Sequence, residues 1–377
     1  MSADLGSPAL DVERSASDMV DTPPSLEQPQ LAADEFLLPD LVSHCDFPLV
    51  YHPEGDAVAA DSVRWMDENC PMLNEKRRKA LYGLQAGELT AFCYNYTTPD
   101  RLRVVADFLT YLFHLDNISD GMMTGDTHLL GDLVMNALWD TKSYRPTHQK
   151  GREQPAEEPN AAKLARDFWG RCIADAKPGC QSRFRETFEH FFEAVNHQAA
   201  DRDKDVIPDL ESYINYRRDT SGCKPCWALV EYALDIDLPD EVAEHPTIMA
   251  LGEATNDLVT WSNDIFSYNV EQARGDTHNM IVIFMVHSNM TLQEAMERVG
   301  TMCADSIKRF NAERENLPSW GPEVDDMVQR YVQGLQDWIV GSLHWSFQTA
   351  RYFGTDGETV KKTRRVKLLP VREDAKW

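Results

Sequence analysis

From Phe36 onward the sequence keeps a period near 3.6 and almost nowhere the Val/Ile/Thr alternation that a sheet requires, so helices must carry the fold. Helical stretches are predicted over residues 56–68, 75–93, 99–117, 126–142, 158–175, 180–201, 209–220, 226–234, 240–271, 278–286, 291–316 and 322–353. Pro, Gly and polar clusters separate them. The expected class is all-α. One interruption stands inside a helix: RRDTSGCKPCW, residues 217–227, sets Ser221, Gly222 and Pro225 where the helix would otherwise run on, freeing backbone groups. Residues 142–160 read as a polar loop. Residues 1–34, rich in Ser, Pro, Asp and Glu, lack the apolar content to order themselves and are expected to form an acidic tail. Residues 35–355 then make one domain, and 356–377 a basic tail carrying Lys361, Lys362, Arg364, Arg365 and Lys367.

Charge narrows the class of ligand. With 62 acidic against 37 basic residues in 377, the net charge of -25 repels nucleic acid and anionic membranes. An anionic ligand would have to be bridged by cations. No apolar run is long enough to span a bilayer and no signal peptide is evident, so the expected location is cytoplasmic, with no stable membrane insertion. The eight cysteines lack the density of a secreted scaffold. Cys223 and Cys226 form one CxxC without the second ligand pair that zinc would need nearby.

In WSNDIFSYNVE, residues 261–271, the polar residues Asn263, Ser267 and Glu271 fall at i, i+4 and i+8, on one helix face. An amide oxygen, a hydroxyl and a carboxylate are hard donors that suit Mg²⁺. A merely solvated face would look the same. The same spacing recurs one heptad earlier at Asn256, Thr260 and Asp264; the reach of Glu271 and the following QARGDTHNM favour the later set. A second acidic element closes TYLFHLDNISDGMM, residues 110–123, where Asp116 and Asp120 sit at i, i+4 after an apolar helix. Two such carboxylates repel each other unless a cation lies between them.

On these residues the chain, over about 36–353, resembles class I terpene synthases, specifically the sesquiterpene cyclases of basidiomycete fungi and most of all the protoilludene synthase group. That resemblance implies a single-domain class I terpenoid synthase bundle around a central active-site cavity, binding three Mg²⁺ ions and farnesyl diphosphate. Asp116-Asn117-Ile118-Ser119-Asp120 looks like the family's aspartate-rich motif in a DNxxD form, and Asn263, Ser267 and Glu271 like its second metal-binding triad. Arg217 occupies the place of the diphosphate-sensing arginine, with Thr220, Ser221 and Gly222 at the helix break. Arg351 and Tyr352 resemble the pair that hydrogen-bonds the diphosphate. Phe113 and Trp345 are expected pocket aromatics, with Phe108 and Trp338 as further candidates. Many members carry Lys or Arg before the triad glutamate; Val270 stands here, and Arg274 one turn later is the substitute to examine.

The implied reaction is ionisation of the diphosphate ester and cyclisation of the carbocation to a tricyclic, protoilludene-like hydrocarbon. Other hydrocarbons or a water-quenched alcohol fit the same motifs. A prenyl diphosphate synthase would need two aspartate-rich motifs, and a helical binding protein would leave both acid stripes solvated. A monomer or a homodimer is expected, with a small molecule as the partner. His114 and His344 are expected to serve packing or hydrogen bonding. Truncating Arg217 is expected to leave no buried charge unpaired, so Arg217→Ala should impair ionisation more than folding.

Overall fold

The computed structural model describes residue 32, residues 34–149 and residues 152–372. After strand β1 (Glu35–Leu37) come α1 (Gly55–Asn69), α2 (Glu75–Leu84), α3 (Ala86–Cys93), α4 (Pro99–Ser119) and α5 (Thr124–Trp139). A small ribbon, β2 (His148–Gln149) with β3 (Arg152–Glu153), interrupts the polar loop and leads to α6 (Asn160–Cys172), α7 (Pro178–Asp203), α8 (Leu210–Thr220) and α9 (Cys223–Leu234). Then follow α10 (Asp240–Ala243), α11 (Pro246–Arg274), α12 (Met280–His287), α13 (Leu292–Glu315), α14 (Pro322–Gln348), α15 (Ala350–Phe353), α16 (Gly357–Thr363) and β4 (Arg365–Lys367). Among the described residues no helix is long and apolar enough to cross a membrane.

Local chemistry sets these boundaries. Proline occupies the first turn of α4, α7, α11 and α14, where its missing N–H leaves no gap in the ladder. Asn74, Asp209 and Asn279 cap α2, α8 and α12 through their side chains, and Thr291 forms a capping box with Glu294 on α13. Three expected helices prove to be two each. Gln85 adopts a left-handed conformation (φ 58°) and divides 75–93. Pro246 restarts the chain after α10. Thr349 ends α14 in an extended conformation and caps α15 by accepting from Arg351 N (3.2 Å).

The C-terminal segment differs from the expected basic tail. Residues 357–363 form α16, and β4 pairs antiparallel with β1, setting Val366 opposite Phe36 with both buried. Two amides of α11 hold it: Asn269 Nδ2 donates to Lys367 O (2.9 Å) and Gln272 Nε2 to Leu369 O (2.8 Å). The acidic tail expected over 1–34 lies outside the described residues through 31 and at 33, whereas Asp34 O already accepts from Leu368 N (2.8 Å).

Helix α11 lies at the centre, packed on α13 and α14, with α8 and α9 alongside. Beneath the site its buried Asp257 accepts two hydrogen bonds from Arg218 (2.8 and 2.9 Å) and one from Arg309, pinning α8 and α13 to α11. A separate aromatic cluster joins α4 to α6 and α7. Phe108 is its hub, with ring centres 5.3, 5.1 and 5.6 Å from Phe168, Phe184 and Phe188. Phe108 is therefore core and not a pocket aromatic: α4 is apolar on nearly every face, so its sequence alone could not say which ring turns inward.

Candidate active site

A cavity of about 1130 Å³, measured to its open mouth, lies between α4, α9, α11 and α14. Its depth is apolar, with Leu112, Phe113, Val259, Trp338 and Trp345 among the walls, while acids and arginines gather at the mouth. Phe113 and Trp345 pack with ring centres 5.7 Å apart, and Trp345 meets Tyr352 edge-on at 6.0 Å. Three of the four aromatics singled out from sequence thus reach the cavity; Phe108 does not.

The two metal-suited elements face each other across that mouth. Asp116 and Asp120, at the end of α4, line one wall, and Asn263 and Glu271 of α11 line the other. Ser267 sits one turn before Glu271, where the wall is shared with an adjoining groove. Its Oγ is buried and makes no hydrogen bond. Among the described residues no three His, Cys, Asp or Glu groups converge on one point; the acids are divided between two rims, and Asn263 and Ser267 supply the remaining oxygens.

Electrostatics at the mouth are unfavourable for bare acids. Burial, then Asp276 and Asp264, pushes the Glu271 carboxyl up to about 8, although its Oε2 accepts from Asn279 Nδ2 (2.8 Å). Asp120 is pushed up to about 7 by burial in the throat and by Asp116 and Asp276, while its outer edge stays open to solvent. Oxygens that repel one another and an unpartnered buried hydroxyl are what a divalent cation would relieve. The donor set fits a hard metal ion.

The earlier register on α11 is used differently. Asn256 donates to Arg218 O (2.7 Å) and accepts from Ser221 Oγ (3.1 Å), and Thr260 Oγ1 donates to Asn256 O (2.8 Å). Asp264 is spent on Arg217, on the Tyr213 hydroxyl and on Met280 N (3.0 Å).

The cations are anchored as well. Arg217 Nε donates to Asp264 Oδ1 (3.0 Å), and its Nη2 to Asp264 Oδ1 (2.9 Å) and Asn263 Oδ1 (2.8 Å). The expectation that truncating Arg217 would strand no buried charge is therefore corrected, because Asp264 is 1% exposed and Arg217 is its counter-ion. Arg351 bridges to Asp116 (3.0 Å) and lies over the Phe113 ring at 5.4 Å. The Tyr352 hydroxyl accepts from Asn263 Nδ2 (2.6 Å), tying α15 to α11.

At the helix break, Thr220, Ser221 and Gly222 all line the cavity, and Thr220 Oγ1 is buried without a partner. Gly222 caps α9 at φ 68°, and a Cβ there would stand 2.8 Å from Leu112 Cδ2. Gly222→Ala combines a left-handed strain of about 1–2 kcal/mol with that clash. The expected outcome is a stability loss of about 2–3 kcal/mol in urea titration. One thiol of the CxxC takes part in this turn: Cys226 Sγ donates to Gly222 O (3.2 Å).

Two residues were not anticipated from sequence. Gly275 closes α11 in a left-handed conformation and turns the chain back over the mouth, bringing Asp276 and His278 into the cavity lining. His278 packs on Tyr213 with ring centres 4.9 Å apart, and its Nε2 is buried without a partner. Burial and the nearby Arg217 and Arg202 hold its pKa down to about 3, so the ring is neutral. The Gly-Asp pair after the last helical turn was the available signal. Arg274 and Val270 both line the adjoining groove and not the cavity, so Arg274 faces the same space as position 270. His114 contacts Cys70 Sγ at 4.0 Å, and His344 Nδ1 lies 3.0 Å from Lys361 Nζ.

Residues 107–309 match the model of terpene synthase family 2, C-terminal metal binding. An alpha-muurolene synthase of Coprinopsis cinerea is 69% identical over 336 residues, 89% of this chain and 78% of that protein. Sesquiterpene synthase Agr3 of Cyclocybe aegerita is 67% identical over 89% of this chain and 94% of its own length. The Delta(6)-protoilludene synthase of Cyclocybe aegerita is 35% identical over 90% of this chain and 50% of that protein. Among solved structures, hedycaryol synthase superposes with a TM-score of 0.70 over 82% of this chain and 98% of its own, at 19% identity, a likeness of fold alone.

Proposed function

The chain belongs to terpene synthase family 2 and is a sesquiterpene synthase, a terpene cyclase with a metal-binding domain, and from that premise we propose that it ionises farnesyl diphosphate with three Mg²⁺ ions and cyclises the resulting cation. The observation that carries this reading is the opposition of Asp116 and Asp120 to Asn263 and Glu271 across the mouth of an apolar cavity, with Ser267 unpartnered beside them. Asp116, Asp120, Asn263, Ser267 and Glu271 would hold the ions. Bound there, the metal would supply the electrostatic neutralisation that lets the diphosphate leave.

The chain's own groups bind and orient. Arg217, held rigid by Asp264, presents its guanidinium beside Asn263 at the mouth. Arg351 beside Asp116 and the Tyr352 hydroxyl beside Asn263 are available to donate to diphosphate oxygens once their present partners are exchanged for stronger anionic ones. Thr220 Oγ1 supplies a further donor at the helix break. Below them Phe113, Trp338 and Trp345 exclude water and offer π faces, worth about 2 kcal/mol or more to a desolvated cation.

For the product, 69% identity to an alpha-muurolene synthase supports a hydrocarbon of that type over the tricyclic protoilludene type, whose named synthase is 35% identical. The protoilludene reading rests on the DNxxD-Gly-Met and NVEQARGD stretches. Incubation with farnesyl diphosphate and Mg²⁺, followed by gas chromatography with mass detection, decides between them. Chelation with EDTA is expected to abolish hydrocarbon and diphosphate release, Mg²⁺ to restore both, and far-ultraviolet circular dichroism to stay unchanged. Turnover that survives chelation, or no product with farnesyl diphosphate, refutes the assignment.

A further inference from the structure

Beyond the wall formed by Arg351 and Tyr352 lies a second space, a groove of about 2350 Å³ counted to open solvent, walled by α2, α4, the end of α11, α15 and the segment after β4. Glu271, Arg351 and Tyr352 line both spaces, so the groove adjoins the mouth of the reaction cavity. Six cations line it: Arg351, bridged to Asp116, and five more, Lys76, Arg77 and Lys79 of α2, Arg274 of α11 and Arg372. None of the five pairs with a carboxylate among the described residues, although acids outnumber bases 62 to 37 and most other arginines are bridged. Glu271 is the groove's one acidic lining residue among those described.

Helix stability does not account for the placement. Lys76 and Arg77 stand in the first turn of α2, where the helix dipole disfavours positive charge. Nor does the rest of the surface, whose -25 charge repels polyanions and so restricts any anionic ligand to a small one. A further observation points to a ligand: Leu73 and Ile118 give this groove an apolar side beside the cations. An anionic head on an apolar chain matches both surfaces.

We propose that this groove is a metal-independent docking site for the diphosphate group of the prenyl substrate, which it captures beside the reaction cavity. The groove alone argues for an anion; its identification as a diphosphate rests on the function proposed above. Capture by unpaired cations raises the association rate, not the chemical step, so the effect belongs in kcat/KM.

The test is calorimetric titration of inorganic diphosphate into the full chain in EDTA, with the wild type compared to Arg77→Glu/Lys79→Glu. Both side chains are exposed, and acids near the start of α2 suit the dipole, so the melting temperature should hold. Expected are magnesium-free binding by the wild type, at least tenfold weaker in the variant, and a fall of about fivefold to tenfold in kcat/KM for farnesyl diphosphate at low salt. The wild-type kcat should be kept within about twofold, and the kcat/KM difference should vanish near 0.5 M salt. Absence of magnesium-free binding, equal binding by both proteins, or binding that appears only after removal of the acidic Glu373 and Asp374 overturns the proposal. Binding lost in the variant, in a protein that cyclises no prenyl diphosphate, leaves the anion site standing and refutes the proposed reaction instead.

Discussion

Asn263→Ala is expected to lower magnesium-dependent turnover of farnesyl diphosphate by about 10²–10³-fold, the scale of removing one preorganised electrostatic contact, while leaving the bundle folded. The amide stands at the junction of three elements. Its Oδ1 accepts from Arg217 Nη2 (2.8 Å) and its Nδ2 donates to the Tyr352 hydroxyl (2.6 Å). A carbonyl oxygen has a second lone pair, so Oδ1 can serve a metal without releasing Arg217. Losing two part-buried hydrogen bonds costs about 1–3 kcal/mol, too little to unfold a domain of this size. The loss of turnover would therefore exceed the loss of folded protein. Asn263→Asp separates the roles: it keeps an oxygen toward Arg217 and the metal, and Tyr352 can reverse its bond and donate. Partial recovery in the aspartate variant supports the oxygen as ligand. Full turnover in the alanine variant contradicts it, and equal losses in two folded variants would move the role to the amide N–H.

How much of this was legible in sequence depended on the range of the signal. Helix starts were readable because a proline in the first turn or a capping Asn, Asp or Thr acts within four residues. The two rims were readable because i, i+4 spacing fixes a helix face by geometry. What failed was long-range. The pairing of β1 with β4 rests on three residues from each end of the chain, too short for any period to register. The choice between Phe108 and Phe113 was hidden because α4 is buried on almost all sides. In sequence Asp264 reads as part of an alternative ligand register, and only the packing of α8 against α11 makes it the partner of Arg217. The cations of the groove were invisible as a group, since Arg274 and Arg372 are brought to the basic run of α2 by the fold alone.

Arg217→Ala should damage folding and catalysis together, and the buried partner says why. Asp264 receives Arg217 Nε and Nη2 (3.0 and 2.9 Å), the Tyr213 hydroxyl and Met280 N (3.0 Å), so it is fully satisfied as a carboxylate only while the guanidinium is present. Truncation leaves the two neutral donors but removes the compensating charge, and breaking such a buried pair costs about 3–5 kcal/mol. Turnover should fall by about 10²-fold or more as the mouth loses a fixed donor. Arg217→Ala/Asp264→Asn resolves the two effects. Without the stranded charge, the double variant should regain about 1–3 kcal/mol in urea titration, since an uncharged amide can be held by Tyr213 and Met280. Its kcat should remain at the level of the single variant, because the missing cation is not replaced. Recovery of turnover along with stability would make Arg217 a structural residue, and wild-type stability of the single variant would mean that the pair contributes nothing net to the fold.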